Sequence, residues 1–151
     1  MRRPAAGAVA KNAGRIGVLR SFGAMFYDAL LLFSVWYVVT ALAVWMRGGQ
    51  SIAAGDPKLT VVLIACTYLY FAGQWTRGGQ TLGMKTWRIR LTMQGGTRPP
   101  GWFAASARFV VAVCSLLTLG FGYLWALWDT EGLTLPDRLS GTRRRLADDR
   151  P

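Results

Sequence analysis

Four ionisable side chains stand where charge is costly or patterned: Asp28, Arg20, Arg108 and Asp137. Asp28 interrupts the largely apolar run from Ser21 to Met46. A carboxylate inside such a run marks, by default, an ion path, a proton relay or a helix contact. An arginine beside it, Arg20 or Arg108, would govern how readily it takes up a proton, with Asp137 drawn near from the far end of the chain. Glycine-rich backbone close by would offer carbonyl oxygens to a hard cation. One intramembrane carboxylate per chain is little for a carrier, so this chemistry requires a homo-oligomer whose protomers line the path together. The alternative is structural. Asp28 would then accept hydrogen bonds from Ser21, Thr81 or Arg108 and tie the spans together, at about 1 kcal/mol per bond. Residue chemistry alone tips toward the structural role.

Other chemistries are excluded by composition. There is no histidine, which removes His-based triads, His-ligated zinc and His general bases. Cys66 and Cys114 both fall inside apolar runs and read as small hydrophobes. With no nucleophile and base pair and no metal-ligand set, neither an enzyme nor a cofactor or metal is expected. The stretch Gly78-Gly79-Gln80-Thr81-Leu82-Gly83-Met84-Lys85-Thr86 is similar to a phosphate-binding loop with one residue inserted before the lysine. That mechanism needs lysine directly after the last glycine and a buried parallel strand before it, and both are missing.

The elements that must hold these residues are membrane spans. Hydrophobic residues make up 52% of the chain and charged ones 17%, too little polar surface for a soluble fold of this length. Ala29 to Met46 alone is ~27 Å of helix, close to the thickness of a hydrocarbon core. Its end carries Trp45 and Arg47, an aromatic anchor and a charge at the interface. Leu59 to Thr76 is a second uncharged run just long enough to cross, and Phe109 to Trp128 a third, interrupted by Gly120 and Gly122. Between the second and third, Ile89, Leu91 and Met93 alternate with Arg88, Arg90 and Thr92. That period of two extends back to Lys85 and Trp87 and predicts a short strand at headgroup level. The fold class is therefore an all-α membrane protein of about three transmembrane helices, the third broken or re-entrant if its glycines are used, with a short interfacial strand-like loop.

Charge orients it. The net charge of +11 sits between apolar runs, where the positive-inside rule and anionic lipid headgroups explain it better than nucleic acid. Residues 1–20 form a basic cytoplasmic tail, 21–128 the transmembrane domain and 129–151 a charged C-terminal tail, in the inner membrane of a cell with the N-terminus inside. If the third run crosses once, the outside holds seven Lys and Arg and the inside ten; if it doubles back, the numbers are two and fifteen. Charge favours doubling back and length favours one crossing, which tips the expectation to a single crossing. By itself the Leu135 to Thr142 stretch reads as a solvated turn with a local salt bridge.

Three pieces in order resemble the RDD family of small bacterial membrane proteins: Leu19 to Asp28, Gly79-Gln80-Thr81-Leu82-Gly83-Met84-Lys85, and Leu135-Pro136-Asp137-Arg138-Leu139-Ser140-Gly141-Thr142. The resemblance covers about residues 19 to 145. It gives Asp28 and Asp137 as the two signature aspartates, and Gly79, Gln80, Thr81, Gly83, Lys85, Asp137, Gly141 and Thr142 as motif positions. The signature arginine falls seven residues before the first aspartate, where this chain has Ser21, with Arg20 one step earlier. Around a helix Ser21 lies about 20° from Asp28 and Arg20 about 80° away. Membership implies a bacterial multi-pass protein that transports a small ligand or exchanges a monovalent cation for protons. The alternative is a membrane accessory or scaffold protein whose runs Arg88-Ile89-Arg90 and Arg143-Arg144-Arg145 recruit a partner or anionic lipid.

Overall fold

The structure, a computed structural model, describes residues 18–147. Most of the basic N-terminal tail and Arg150 lie outside the described residues. Helix α1 spans Val18–Met46, at ~43 Å more than a bilayer core requires. Its inward positions are Ser21, Ala24 and Asp28, one helical face near its start. Farther along, Phe33, Tyr37, Val38 and Trp45 are exposed, the pattern of a surface dissolved in lipid rather than water.

Helix α2 spans Pro57–Gly78. Asp56 starts it by accepting hydrogen bonds from the backbone N–H of Lys58 and Leu59, and Pro57 fits a first-turn position that needs no donor. Gly79 ends it in the left-handed conformation, φ 66°, with its N–H on the Trp75 carbonyl. This helix is the hub of the bundle, packed on both α1 and the later helix α4, Trp102–Leu117. Trp36 Nε1 on α1 donates to Thr67 Oγ1 on α2 at 3.0 Å. Tyr68 of α2 shares a 2.7 Å hydrogen bond with Ser106 of α4. Such bonds hold where lipid gives apolar surfaces no reason to associate.

The interfacial segment differs in part from the alternation. Lys85 and Trp87 do not belong to a strand. Thr81 Oγ1 accepts from the Met84 N–H and caps a short helix α3, Leu82–Thr86, and the strand β1 starts only at Ile89 and ends at Met93. The cap outweighs alternation because it satisfies an amide that a strand without a partner would leave open. Within β1 Ile89 and Leu91 are buried as the alternation predicts, whereas Thr92 of the opposite set is buried as well and Met93 is half-buried.

The third apolar run is broken. Helix α4 stops at Leu117, Leu119 and Gly120 take positive φ of 57° and 82°, and a short helix α5, Phe121–Leu124, leaves at a bend of 109°. Gly122 sits so close to Ser115 of α4 and Leu135 that a Cβ there would collide with the serine side chain. The chain thus folds back along α4 through a 3₁₀ turn, Trp125–Leu127, to a helix α6, Leu135–Leu139, and a strand β2, Thr142–Leu146. Strand β2 pairs antiparallel with β1, Leu91 opposite Arg144 and Arg90 opposite Arg145. The end of the described chain therefore lies at the end of the bundle where α1 begins. The broken form of the third run is the one observed, rather than the straight crossing its length favoured. Two helices are long and apolar enough to cross a membrane, or three if the bent pair counts as one span.

The C-terminal segment is also not the solvated turn its composition suggested. Pro136, Asp137 and Thr142 are almost fully buried. Thr134 and Asp137 form a capping box on α6, and the buried face of α6 rests on α4.

Candidate functional site

Two aspartates on different elements organise the sheet end of the bundle. Asp28, 4% exposed, accepts from Tyr70 Oη of α2 at 2.9 Å, the Gly83 backbone N–H at 2.9 Å and Thr81 Oγ1 at 2.5 Å. All three donors are neutral, and together they tie α1 to α2 and to the α3 turn. Gly83 is required at its position because a Cβ would meet the Ala24 carbonyl and the Asp28 carboxyl. Gly79 is required for its left-handed φ and because a Cβ would run into the Leu91 carbonyl, whose residue donates its own N–H back to Gly79. Gln80 Nε2 holds the Ile89 carbonyl at 2.8 Å. The Gly-Gln-Thr-Leu-Gly stretch is thus a buttress that carries α1 on its aspartate.

Asp137 is the centre of an ionic cluster. One oxygen pairs with Arg108 Nη1 of α4, the other with Arg144 Nε of β2 at 2.8 Å and with the backbone and hydroxyl of Thr134 at 3.0 and 2.6 Å. Arg108 Nη1 also donates to Thr142 Oγ1 at 2.7 Å. Burial by itself would raise the Asp137 carboxyl pKa, but the guanidiniums of Arg108 and Arg144 outweigh it and hold the group at about 2. The second guanidinium reaches on to α1, where Arg144 Nη1 donates to Ser21 Oγ at 2.6 Å. Arg108 also lies 5.3 Å from the centroid of the Trp75 ring, a cation–π contact.

A cavity of about 360 Å³ lies between these centres. Its walls are α1, α2 and α4, with Ser21, Asp28, Arg108, Tyr123 and Arg144 as the main polar residues among apolar ones such as Leu32, Phe71 and Ala112. The volume falls within the range of small-molecule sites. It exists because α2 packs on both neighbours while α1 and α4 make scarcely any contact with each other.

The expected partners are therefore sorted differently. Arg20 is exposed on the outer side of α1, and Arg108 serves Asp137 and Thr142 rather than Asp28. Thr81 is the expected partner that does reach Asp28. Lys85 is exposed at the end of α3, outside the site. Gly141 turns the chain into β2 at φ 64°, and Thr142 joins the ionic cluster. Tyr70, Thr134 and Arg144 went unrecognised in the sequence. For Arg144 the signal was available: in a strand of three arginines, the middle one must face the opposite way from its neighbours.

The RDD family model matches residues 16–141. The chain belongs to the RDD family. It is an integral membrane protein, consistent with its apolar helices. No curated protein and no solved structure matches it. The guanidinium bonded to Ser21 comes from Arg144, which lies beyond the matched residues.

Proposed function

We propose that this RDD protein binds a small ligand in the cleft between α1 and α4 and moves it across the inner membrane, acting as a carrier and not as an enzyme. The observation that carries the reading is the cleft itself, about 360 Å³ with Asp28, Arg108 and Arg144 on largely apolar walls. Ionisable residues inside a span are expensive, and a cavity bordered by them is their usual setting in carriers. In this reading Asp28 holds the walls in register, since its oxygens already accept from three donors. The folded-back third run supports a multi-pass topology with both ends in the cytoplasm, because that arrangement would put two Lys and Arg outside and fifteen inside, as the positive-inside rule favours.

The test is native mass spectrometry of the purified protein beside Ala112→Trp, where an indole fills the cleft. A molecule retained by the unmutated protein and lost from the variant, and whose flux into proteoliposomes the variant blocks, is the expected result. No bound molecule in either protein would sink the reading. A second reading, exchange of a monovalent cation for protons at Asp28, is favoured by that carboxylate's place on the cleft wall. It predicts that Na⁺, K⁺ or Li⁺ collapses an imposed pH gradient, followed by a trapped dye, with the unmutated protein and not with Asp28→Asn.

A further inference from the structure

The cleft is long and mostly apolar, with two guanidiniums at one end and Asp28 partway along the α1 wall. Along α1 its wall runs from Ser21 to Trp36, about 22 Å of helix, more than the ~15 Å depth of one hydrocarbon leaflet. Leu32, Phe71, Ala112, Val113 and Leu116 supply the apolar length. Ser21, Arg108, Tyr123 and Arg144 gather at the sheet end.

The charges at that end do not balance among themselves. Two guanidiniums, of side chains 4% and 9% exposed, share the single carboxylate of Asp137. An excess buried charge is costly unless another group neutralises it. Asp28 is the other charge on the cleft wall, but both its oxygens are engaged by Tyr70, Thr81 and Gly83 on the side of α2 and α3. Arg108 Nε and Trp75 Nε1, on side chains that line the cleft, have no hydrogen-bond partner among the described residues, but both atoms are buried against protein rather than open to the cleft.

We propose that the cleft binds an anionic lipid drawn from the surrounding leaflet, its oxyanion at the Arg108 and Arg144 end and one acyl chain lying along α1. The inference rests on the cleft being the ligand site and names the class of that ligand. The apolar walls hold the chain, and the excess guanidinium selects the headgroup by charge-assisted hydrogen bonds, the strong kind for an oxyanion. Arg144 is the selecting residue because it reaches between Asp137 and Ser21 of α1 on the cleft wall.

The experiment is photo-crosslinking in liposomes with two lipid probes that share one diazirine-bearing acyl chain, one with a phosphatidylglycerol headgroup and one with phosphatidylcholine. Crosslinks are mapped by peptide mass spectrometry. The expected result is labelling of the cleft residues Leu32, Ala112 and Leu116 by the anionic probe about tenfold above the zwitterionic one, the ratio for one charge-assisted bond. Labelling of the outward residues Phe33 and Tyr37 should not differ between probes. Arg144→Gln should abolish the preference, and Arg144→Lys, which keeps the charge and controls for folding, should retain most of it. Equal cleft labelling by both probes overturns the anionic selection and leaves the ligand cleft standing. Labelling confined to outward residues overturns the lipid occupant, and the retained molecule seen by native mass spectrometry then separates a different ligand from an empty cleft.

Discussion

Replacing Asp137 with Asn removes the one carboxylate that Arg108 and Arg144 share, while leaving its volume almost unchanged. In the native protein the three side chains are 1%, 4% and 9% exposed. The variant leaves two guanidiniums buried side by side with an amide oxygen as their common acceptor, and the amide nitrogen adds a donor where only acceptors are wanted. Breaking a buried pair in this way costs about 3–5 kcal/mol. For a chain of this length that corresponds to a melting point lower by roughly 6–20 °C. Asp28→Asn is the internal comparison, because Asp28 accepts only from neutral donors. The new amide oxygen can still accept from Tyr70 and Gly83 while the Thr81 hydroxyl rotates to accept from the new amide nitrogen. That change should cost about 1–2 kcal/mol. Intrinsic tryptophan fluorescence during a thermal ramp in one detergent measures both. The reasoning is refuted if Asp137→Asn melts within ~2 °C of the unmutated protein, or if Asp28→Asn is the costlier of the two.

Acid should act through the same cluster. The Asp137 carboxyl is held at about 2, below its ordinary value, so its contribution is complete above the ordinary carboxylate range and is lost as pH falls through that lowered value. It amounts to roughly 2 kcal/mol, so the melting point should begin to fall below about pH 4, and Asp137→Asn should lose most of that dependence. Gly83→Ala pushes a methyl into the Ala24 carbonyl and the Asp28 carboxyl; it should cost about 1–3 kcal/mol in the same thermal assay, whereas Gly96→Ala, where the nearest atom is at the edge of contact, should be neutral. The folded-back third run predicts that reporters fused before Met1 and after Pro151 lie on the same side of the membrane, fluorescent protein and alkaline phosphatase giving opposite signals at both ends. Reporters on opposite sides would refute the returning path.

The spans were legible in the sequence because bilayer thickness imposes a length, and runs such as Ala29 to Met46 meet it whatever they pack against. Asp28 stood out for the same reason, as a charge inside a run that excludes charge. The RDD resemblance rested on local words, Gly-Gln-Thr-Leu-Gly and Asp-Arg-Leu-Ser-Gly-Thr, and these proved to be local devices: a left-handed helix end at Gly79, a cap at Thr81, a capping box around Asp137 and a turn at Gly141. Partners were another matter. Arg108 and Asp137 are twenty-nine residues apart, and Arg144 and Ser21 one hundred and twenty-three. Which arginine meets which aspartate depends on the 109° bend after Leu117 and on the pairing of β1 with β2, both set by contacts distant in sequence. The chain by itself determined that this protein lives in a membrane and which residues carry charge there, because solvation acts on each segment independently. Only the tertiary structure decided that Asp28 is held by neutral donors, that Asp137 binds two guanidiniums and that a cleft remains between α1 and α4, because those follow from how separate segments meet.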